Sequence, residues 1–296
     1  MSYINYINAI LDNTEIDIPN KLDLIIDGAA FASAYNYGHL LVLKELEKRN
    51  LTIVNKISGC SAGALLGSLY LINRLDIFIF YYNKIIKSIR KKNKLCIIQN
   101  IINNVSREID LSKINNRLYI TYYDTVRCKH VVVSSYKSKS EFQDILCRST
   151  FLPFLINGEI NYKNKYCDGF TPFIFKKNNY PCLFLTPLYS KKIINSLLIK
   201  NEPDIWKRVF ESIDDMTYFL KGNNSKYCSY INSWKFYDFL LFRIREIITF
   251  IIIIIIEIHC RMNNILPKYI KEQKMLLTLF KIIKNFLNDI LSYKVF

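Results

Sequence analysis

Gly59 and Gly63 frame Cys60-Ser61-Ala62 in the pattern G-x-S-x-G. The stretch lies between a largely β-branched run, Leu51–Ile57, and an apolar run of helical character, Ala62–Ile72. A strand, a tight turn and a helix are what a nucleophile elbow requires. The turn leaves room only for small residues beside the serine, hence a glycine two positions to either side. The helix that follows directs its positive dipole end toward the serine, where an anion would develop during acyl transfer. The chain has only 8 glycines. The competing reading is a glycine-bounded β–α turn with a solvated serine.

A serine nucleophile needs a base for its proton and donors for the oxyanion. Histidine is the usual base, and the chain carries three: His39, His130 and His259. His39 starts a helix, His130 starts a strand, and His259 follows an isoleucine-rich run, the chain order of an α/β-hydrolase triad. None lies in a glycine-rich or small-residue turn, so a structural role is expected for each. Asp168, in Tyr166-Cys167-Asp168-Gly169-Phe170, is the other candidate base. Alone, Asp-Gly is an ordinary turn; alongside an elbow it becomes a candidate partner for Ser61.

The elements that must position these residues open as β-α-β-α. Leu22–Ile26 reads as a strand ending at Asp27-Gly28, Tyr37–Arg49 as a helix, and Leu51–Ile57 as the next strand. That alternation predicts a parallel sheet flanked by helices. Asp76–Lys94 reads as a helix with a basic end. Arg117–Tyr123 and Lys129–Ser135 read as a strand pair, Glu141–Arg148 as a short helix, Gly158–Tyr166 as a hairpin and Tyr180–Thr186 as a strand. Beyond about Asn201 the pattern is helical with no further strand signal. Ile247–Ile256 is apolar except for Thr249 and contains six consecutive isoleucines. It is short of the roughly 20 residues of a spanning helix, so a core or membrane-surface helix is expected, with a membrane-spanning helix as the minor alternative. Lys271–Tyr293 is amphipathic and expected to pack on the domain.

The net charge is +16, from 41 basic and 25 acidic residues. Such a surface attracts polyanions, and the absence of any zinc-finger, RNP-type or basic-helix pattern favours anionic lipid over nucleic acid. The 8 cysteines form no C-x-x-C pair, so no zinc site is indicated and reduced thiols of a cytosolic protein are expected.

From about Leu22 to Pro172 the sequence resembles the patatin-like phospholipases, in four parts and in the family's order. The family's D-G-G-G-x-[KR]-G and its following G-x-L-x-x-L helix correspond to Asp27-Gly28-Ala29-Ala30-Phe31-Ala32-Ser33 and Gly38–Leu46. G-x-S-x-G is Gly59–Gly63. A small-residue segment with proline, similar to A-S-x-A-x-P, is Arg148-Ser149-Thr150-Phe151-Leu152-Pro153, and D-G-[GA] is Asp168-Gly169-Phe170. The resemblance implies a three-layer α/β/α fold with a mainly parallel central sheet over residues 1–200. Residues 201–296 would form a helical region packed on or extending it. It further implies a catalytic dyad without histidine, Ser61 as nucleophile and Asp168 as general base, with an oxyanion hole from the backbone of Gly28, Ala29 and Ala30. The implied activity is hydrolysis of phospholipid or other acyl-lipid esters by a cytoplasmic, peripherally membrane-bound enzyme without metal or organic cofactor. Lys84–Lys94 and Ile247–Ile256 would provide the membrane contact, and no nucleic-acid partner is expected. Ala29, Ala30 and Phe170 stand where the family has small or glycine residues, and the basic position of the first motif falls on Phe31 or Ala32. A membrane- or partner-binding scaffold that has lost catalysis is the alternative those departures suggest.

Overall fold

The chain folds around one mixed sheet of seven strands among the residues that the computed structural model describes: 3–92, 95–153, 155–159, 161–175, 179–187, 204–225, 227–248 and 251. In order these form α1 (Tyr3–Asp12), β1 (Leu22–Ile26), α2 (Ser33–Lys48), β2 (Val54–Cys60), α3 (Ala62–Leu71), α4 (Phe78–Lys92), α5 (Ile97–Glu108) and α6 (Leu111–Ile114). Then come β3 (Leu118–Asp124), β4 (Lys129–Val133), α7 (Lys139–Ser149), β5 (Tyr166–Asp168), β6 (Cys182–Leu185), α8 (Ile205–Leu220), β7 (Cys228–Tyr230) and α9 (236–248). His259, Cys260, the end of the isoleucine run and Lys271–Tyr293 lie outside the described residues.

The strand order is β4-β3-β2-β1-β6-β7, with β5 also paired to β3. The predicted parallel pairing of the first two strands is present: Leu24 faces Ile57, and Ile26 faces Gly59. β1 also runs parallel to β6, and β2 to β3. The expectation of a mainly parallel sheet is corrected, because β3–β4, β3–β5 and β6–β7 are antiparallel. The long crossovers through α2 and through α3–α6 give parallel neighbours. The short β3–β4 connection and the returning strands β5 and β7 can only give antiparallel ones. β7 also corrects the expectation that no strand follows Asn201. Three residues are too few to carry a period-two signal, and pairing with Leu183–Leu185 makes the strand.

β2 starts three residues later than predicted. Leu51 still donates its N–H to Leu46 in the closing turn of α2, with Asn50 at φ 57°. The strand instead runs on through Gly59 and Cys60, whose backbones pair with Ile120 and Thr121 of β3. Of the predicted hairpin Gly158–Tyr166, one isolated bridge, Tyr162 to Tyr166, is present among the described residues.

Alternation along the strands divides the core. Leu22, Leu24 and Ile26 of β1, with Leu183 and Leu185 of β6, join the large cluster built with α2, α3, α5, α7 and α8. Ile25, Cys182 and Phe184 point to the other face, where Phe175, Ile231 and Phe242 of α9 cover them. Successive strand residues face opposite sides of a sheet, so apolar residues at both parities demand cover on both faces.

Candidate active site

Ser61 sits at the turn between β2 and α3 with φ 52° and ψ −128°. This is an unfavourable backbone region for a residue with a side chain and is held only where the surroundings over-determine it. The glycine at position 63 explains how. A Cβ there would lie 2.4 Å from the Ile26 carbonyl oxygen, and one on Gly59 would lie 2.7 Å from Gly63. The start of α3 thus presses directly on the end of β1, and the chain can reverse only by straining the residue between. The Ser61 N–H donates to Ser149 Oγ at 3.0 Å.

Topology explains why Asp168 meets Ser61 across more than a hundred residues of sequence. One edge of β3 is covered by β4. The other edge is shared by β2, which ends with Cys60 opposite Thr121, and by β5, which ends with Asp168 opposite Tyr122. Thr121 and Tyr122 are consecutive, so the C-terminal ends of β2 and β5 meet head to head. The segment that resembles the family's small-residue motif ties the two ends together. Ser149 accepts from Ser61, and Phe151 O accepts from the Asp168 N–H at 3.0 Å.

Asp168 is fully buried. Its Oδ1 accepts the Phe170 N–H at 2.8 Å, whereas Oδ2 has no fully formed hydrogen bond. Ser61 is the side-chain donor beside the carboxylate and favours its ionised form. Desolvation dominates the electrostatics and pushes the Asp168 pKa up to about 7, with the Asp27 carboxylate adding to the rise. The Ser61 hydroxyl, the Phe170 N–H and the Arg245 guanidinium oppose it. Burial also raises the neighbouring Cys60 thiol.

Gly28 approaches this centre so closely that a Cβ would lie 2.9 Å from Cys60 Sγ and 3.3 Å from the Ser61 Cβ. Ala29 has φ −137°, comfortable for alanine. Ala30 has φ 42°, a left-handed conformation that glycine adopts freely and alanine does not. The loop is held from several sides. Tyr82 Oη donates to the Phe31 carbonyl at 2.9 Å, and Arg208 Nη1 does so at 3.3 Å.

Before the loop, the buried carboxylate of Asp27 accepts both Nη1 and Nη2 of Arg245, the latter at 2.6 Å, and the Thr186 hydroxyl at 2.7 Å. Sequence reasoning missed Arg245, Arg208 and Thr186. They lie beyond the segment that carries the motifs, and no local pattern marks them. Ser149 stood within a motif, but its tie to the Ser61 N–H had no sequence signal.

An apolar cavity of ≈ 70 Å³ opens beside Ser61, walled by Ala30, Phe31, Leu65, Tyr82, Ile98 and Leu152 among others. It is small against the 300 Å³ or more usual for ligand pockets and fits a short acyl group. A larger concavity of ≈ 500 Å³ lies between α1 and α2, lined by Lys44, Glu47 and Asp76 among others, and includes neither Ser61, Asp168 nor any residue of the 28–30 loop.

Neither His39 nor His130 serves the serine through any described hydrogen bond. His39 is fully buried on α2, with Nε2 3.6 Å from Asp215 Oδ2. His130 Nε2 lies 3.2 Å from the Thr171 carbonyl oxygen, and burial lowers its pKa. His39, Asp215 and Cys228 are the described residues whose donor atoms come close enough to share a metal ion, all within 4.8 Å. The part-buried Asp215 carboxylate accepts from Ser225 Oγ and Cys228 Sγ, while neither ring nitrogen of the buried His39 makes a fully formed hydrogen bond among the described residues. The described cysteines are all free.

Comparison of the chain with protein-family models and with curated proteins finds no match.

Proposed function

We propose that the protein is a serine-dependent lipid acyl hydrolase of patatin-like, three-layer architecture, working through a Ser61–Asp168 dyad. The observation that carries this reading is the pairing itself: a serine on a strained strand–turn–helix elbow beside a buried carboxylate whose pKa lies near neutrality. A general base is most effective when its pKa is close to the working pH.

In this reading Asp168 takes the Ser61 proton as Oγ attacks the ester carbonyl. The resulting oxyanion is stabilised by backbone N–H groups of the 28–30 loop. Gly28, Ala29 and Ala30 are the donors, each worth about 3–4 kcal/mol of transition-state stabilisation. Collapse expels the alcohol, which leaves with the proton from Asp168. Water then attacks the acyl-enzyme with Asp168 again as base, and the fatty acid departs. No step calls for a metal or organic cofactor.

A lipid substrate is supported by the outer side of α9. Phe236, Tyr237, Leu240, Leu241, Ile244 and Ile247 are all exposed there, Phe236 to 82%. Lys235 and Arg243 are exposed at the start of and along the same helix, and Lys84 and Lys87 are exposed on α4. Apolar side chains flanked by cations suit a helix lying in an anionic lipid surface. No helix among the described residues is long and apolar enough to cross a membrane. A cytoplasmic, peripheral association with anionic phospholipid follows as part of the proposal.

Release of fatty acid from mixed phosphatidylcholine–phosphatidylserine vesicles, and of the chromophore from a short-acyl nitrophenyl ester, tests the reading. Turnover by the wild type that is lost in Ser61→Ala and in Asp168→Asn supports it. Turnover that survives Ser61→Ala refutes it. The positive φ of Ala30 favours a second reading, a binding scaffold with a misshapen oxyanion loop. That reading predicts vesicle binding by a wild type inert toward both substrates.

A further inference from the structure

Arg245 joins both halves of the site from outside the motif-bearing segment. It projects from α9 one turn after Phe242, whose ring packs on Phe184 with centroids 6.2 Å apart and anchors the helix to the sheet. From there the guanidinium forks onto the Asp27 carboxylate, at the entrance to the 28–30 loop. Its Nη2 also donates to the Phe170 carbonyl at 2.8 Å, two residues past Asp168. Ala30 and Phe170 both hold positive φ without being glycine, 42° and 55°. Conformations of that kind persist only when neighbouring contacts enforce them. Arg245 supplies such contacts to each loop at once.

We propose that Arg245 is a positioning residue for acyl transfer, locking the oxyanion loop and the Asp168 loop into one geometry, so that α9 is a working part of the active site. The inference rests on the dyad reading above. Its physical basis is the planar fork of arginine: two parallel N–H donors fix the carboxylate in direction as well as distance, while a further N–H reaches the second loop. Lysine offers the charge without the fork. Arg245 also belongs to the set of groups that face Asp168, together with Ser61, Cys60, Asp27 and the Phe170 N–H. Losing the guanidinium removes one of the influences that hold the Asp168 proton affinity down.

The test is the second-order rate at which a fluorophosphonate labels Ser61 in the full chain, measured across pH for wild type, Arg245→Lys and Arg245→Gln. Hydrogen exchange of residues 27–32 and 168–171 is followed in the same samples. The expected result for Arg245→Gln is labelling slower by on the order of 10²-fold, as a misplacement of about 1 Å produces. Its acidic limb should move to higher pH, and exchange should be faster in both loops. Arg245→Lys should fall between it and the wild type. A folded Arg245→Gln variant with wild-type labelling, an unmoved limb and unchanged exchange overturns the proposal. Should Arg245→Gln unfold because it strands the Asp27 charge, Asp27→Asn/Arg245→Gln removes both charges; the labelling rate and the exchange of the two loops are then the readouts, because loss of Asp27 and loss of Arg245 move the Asp168 limb in opposite directions, and wild-type labelling and exchange there overturn the proposal equally. A wild type that no fluorophosphonate labels overturns the dyad reading. Hydrogen exchange alone then decides whether Arg245 ties the two loops.

Discussion

Asp168→Asn should make the protein more stable above neutral pH while removing its activity. Burial lifts the Asp168 pKa from 3.8 to about 7. The folded chain therefore holds a proton that the unfolded chain has released throughout the interval between those values. Because the folded state binds that proton more tightly, the stability it contributes is complete below about pH 4 and is lost as pH rises through about 7. The shift of about 3 pKa units corresponds to about 4 kcal/mol of destabilisation by pH 8. Asparagine is neutral at every pH and its Oδ1 can still accept the Phe170 N–H, so the variant escapes the loss. For a chain of this size about 4 kcal/mol raises the melting temperature by roughly 8–16 °C. Calorimetric melts of both proteins from pH 4.5 to 8.5 provide the check. The difference between them should be small at the acid end and grow toward pH 8, and other titrating groups cancel in it. A difference that stays flat across this range refutes the buried, proton-holding Asp168 and with it the argument for a base poised near neutrality.

In the proposed mechanism the same carboxylate sets the pH dependence of turnover. It must be ionised to accept the Ser61 proton, so kcat/KM for a soluble ester should climb tenfold per pH unit on the acid side and level off above about 7. A plateau already reached at pH 5 contradicts this. Ala30→Gly should relieve roughly 1–2 kcal/mol of left-handed strain and raise turnover if the strain distorts the loop, leaving it unchanged if the N–H already points at the oxyanion. Lower turnover in a folded Ala30→Gly variant would show that the loop needs the alanine methyl. Binding to vesicles containing phosphatidylserine should weaken on raising salt and on replacing Phe236, Leu240 and Ile247 together by serine. Sedimentation insensitive to both changes removes α9 as the lipid contact.

What the sequence reveals of this site follows from how local each cause is. The elbow is legible because its cause is local: two glycines, a β-branched run and an apolar run within some twenty residues. β1, α2 and α3 are legible for the same reason, each carrying its own periodicity. Asp168 could be proposed from the order of motifs. What brings it to Ser61 is the sharing of one edge of β3 by two strands, a pairing with no sequence signature. The antiparallel half of the sheet was hidden likewise, since β5 and β7 are three residues each and owe their conformation to their partners. The strain at Ala30 could be posed only as a question until the backbone angle answered it. Arg245 stands 218 residues from the carboxylate it grips, in a helix whose exposed apolar side suggests lipid rather than catalysis. A single inward-facing cation among exposed isoleucines gives no pattern to read.

The central claim is that Ser61 and Asp168 act as one nucleophilic unit. Intact-mass measurement after incubation with a fluorophosphonate probes it most directly, across wild type, Ser61→Ala, Asp168→Asn and the double variant. A single stoichiometric adduct mapped to Ser61 is expected on wild type and none on Ser61→Ala. Asp168→Asn should label slower by orders of magnitude, and the double variant, which lacks the Ser61 hydroxyl, should take no adduct. An adduct on Ser61 forming at the same rate with Asp168 replaced, or an adduct elsewhere in Ser61→Ala at the wild-type rate, would contradict it.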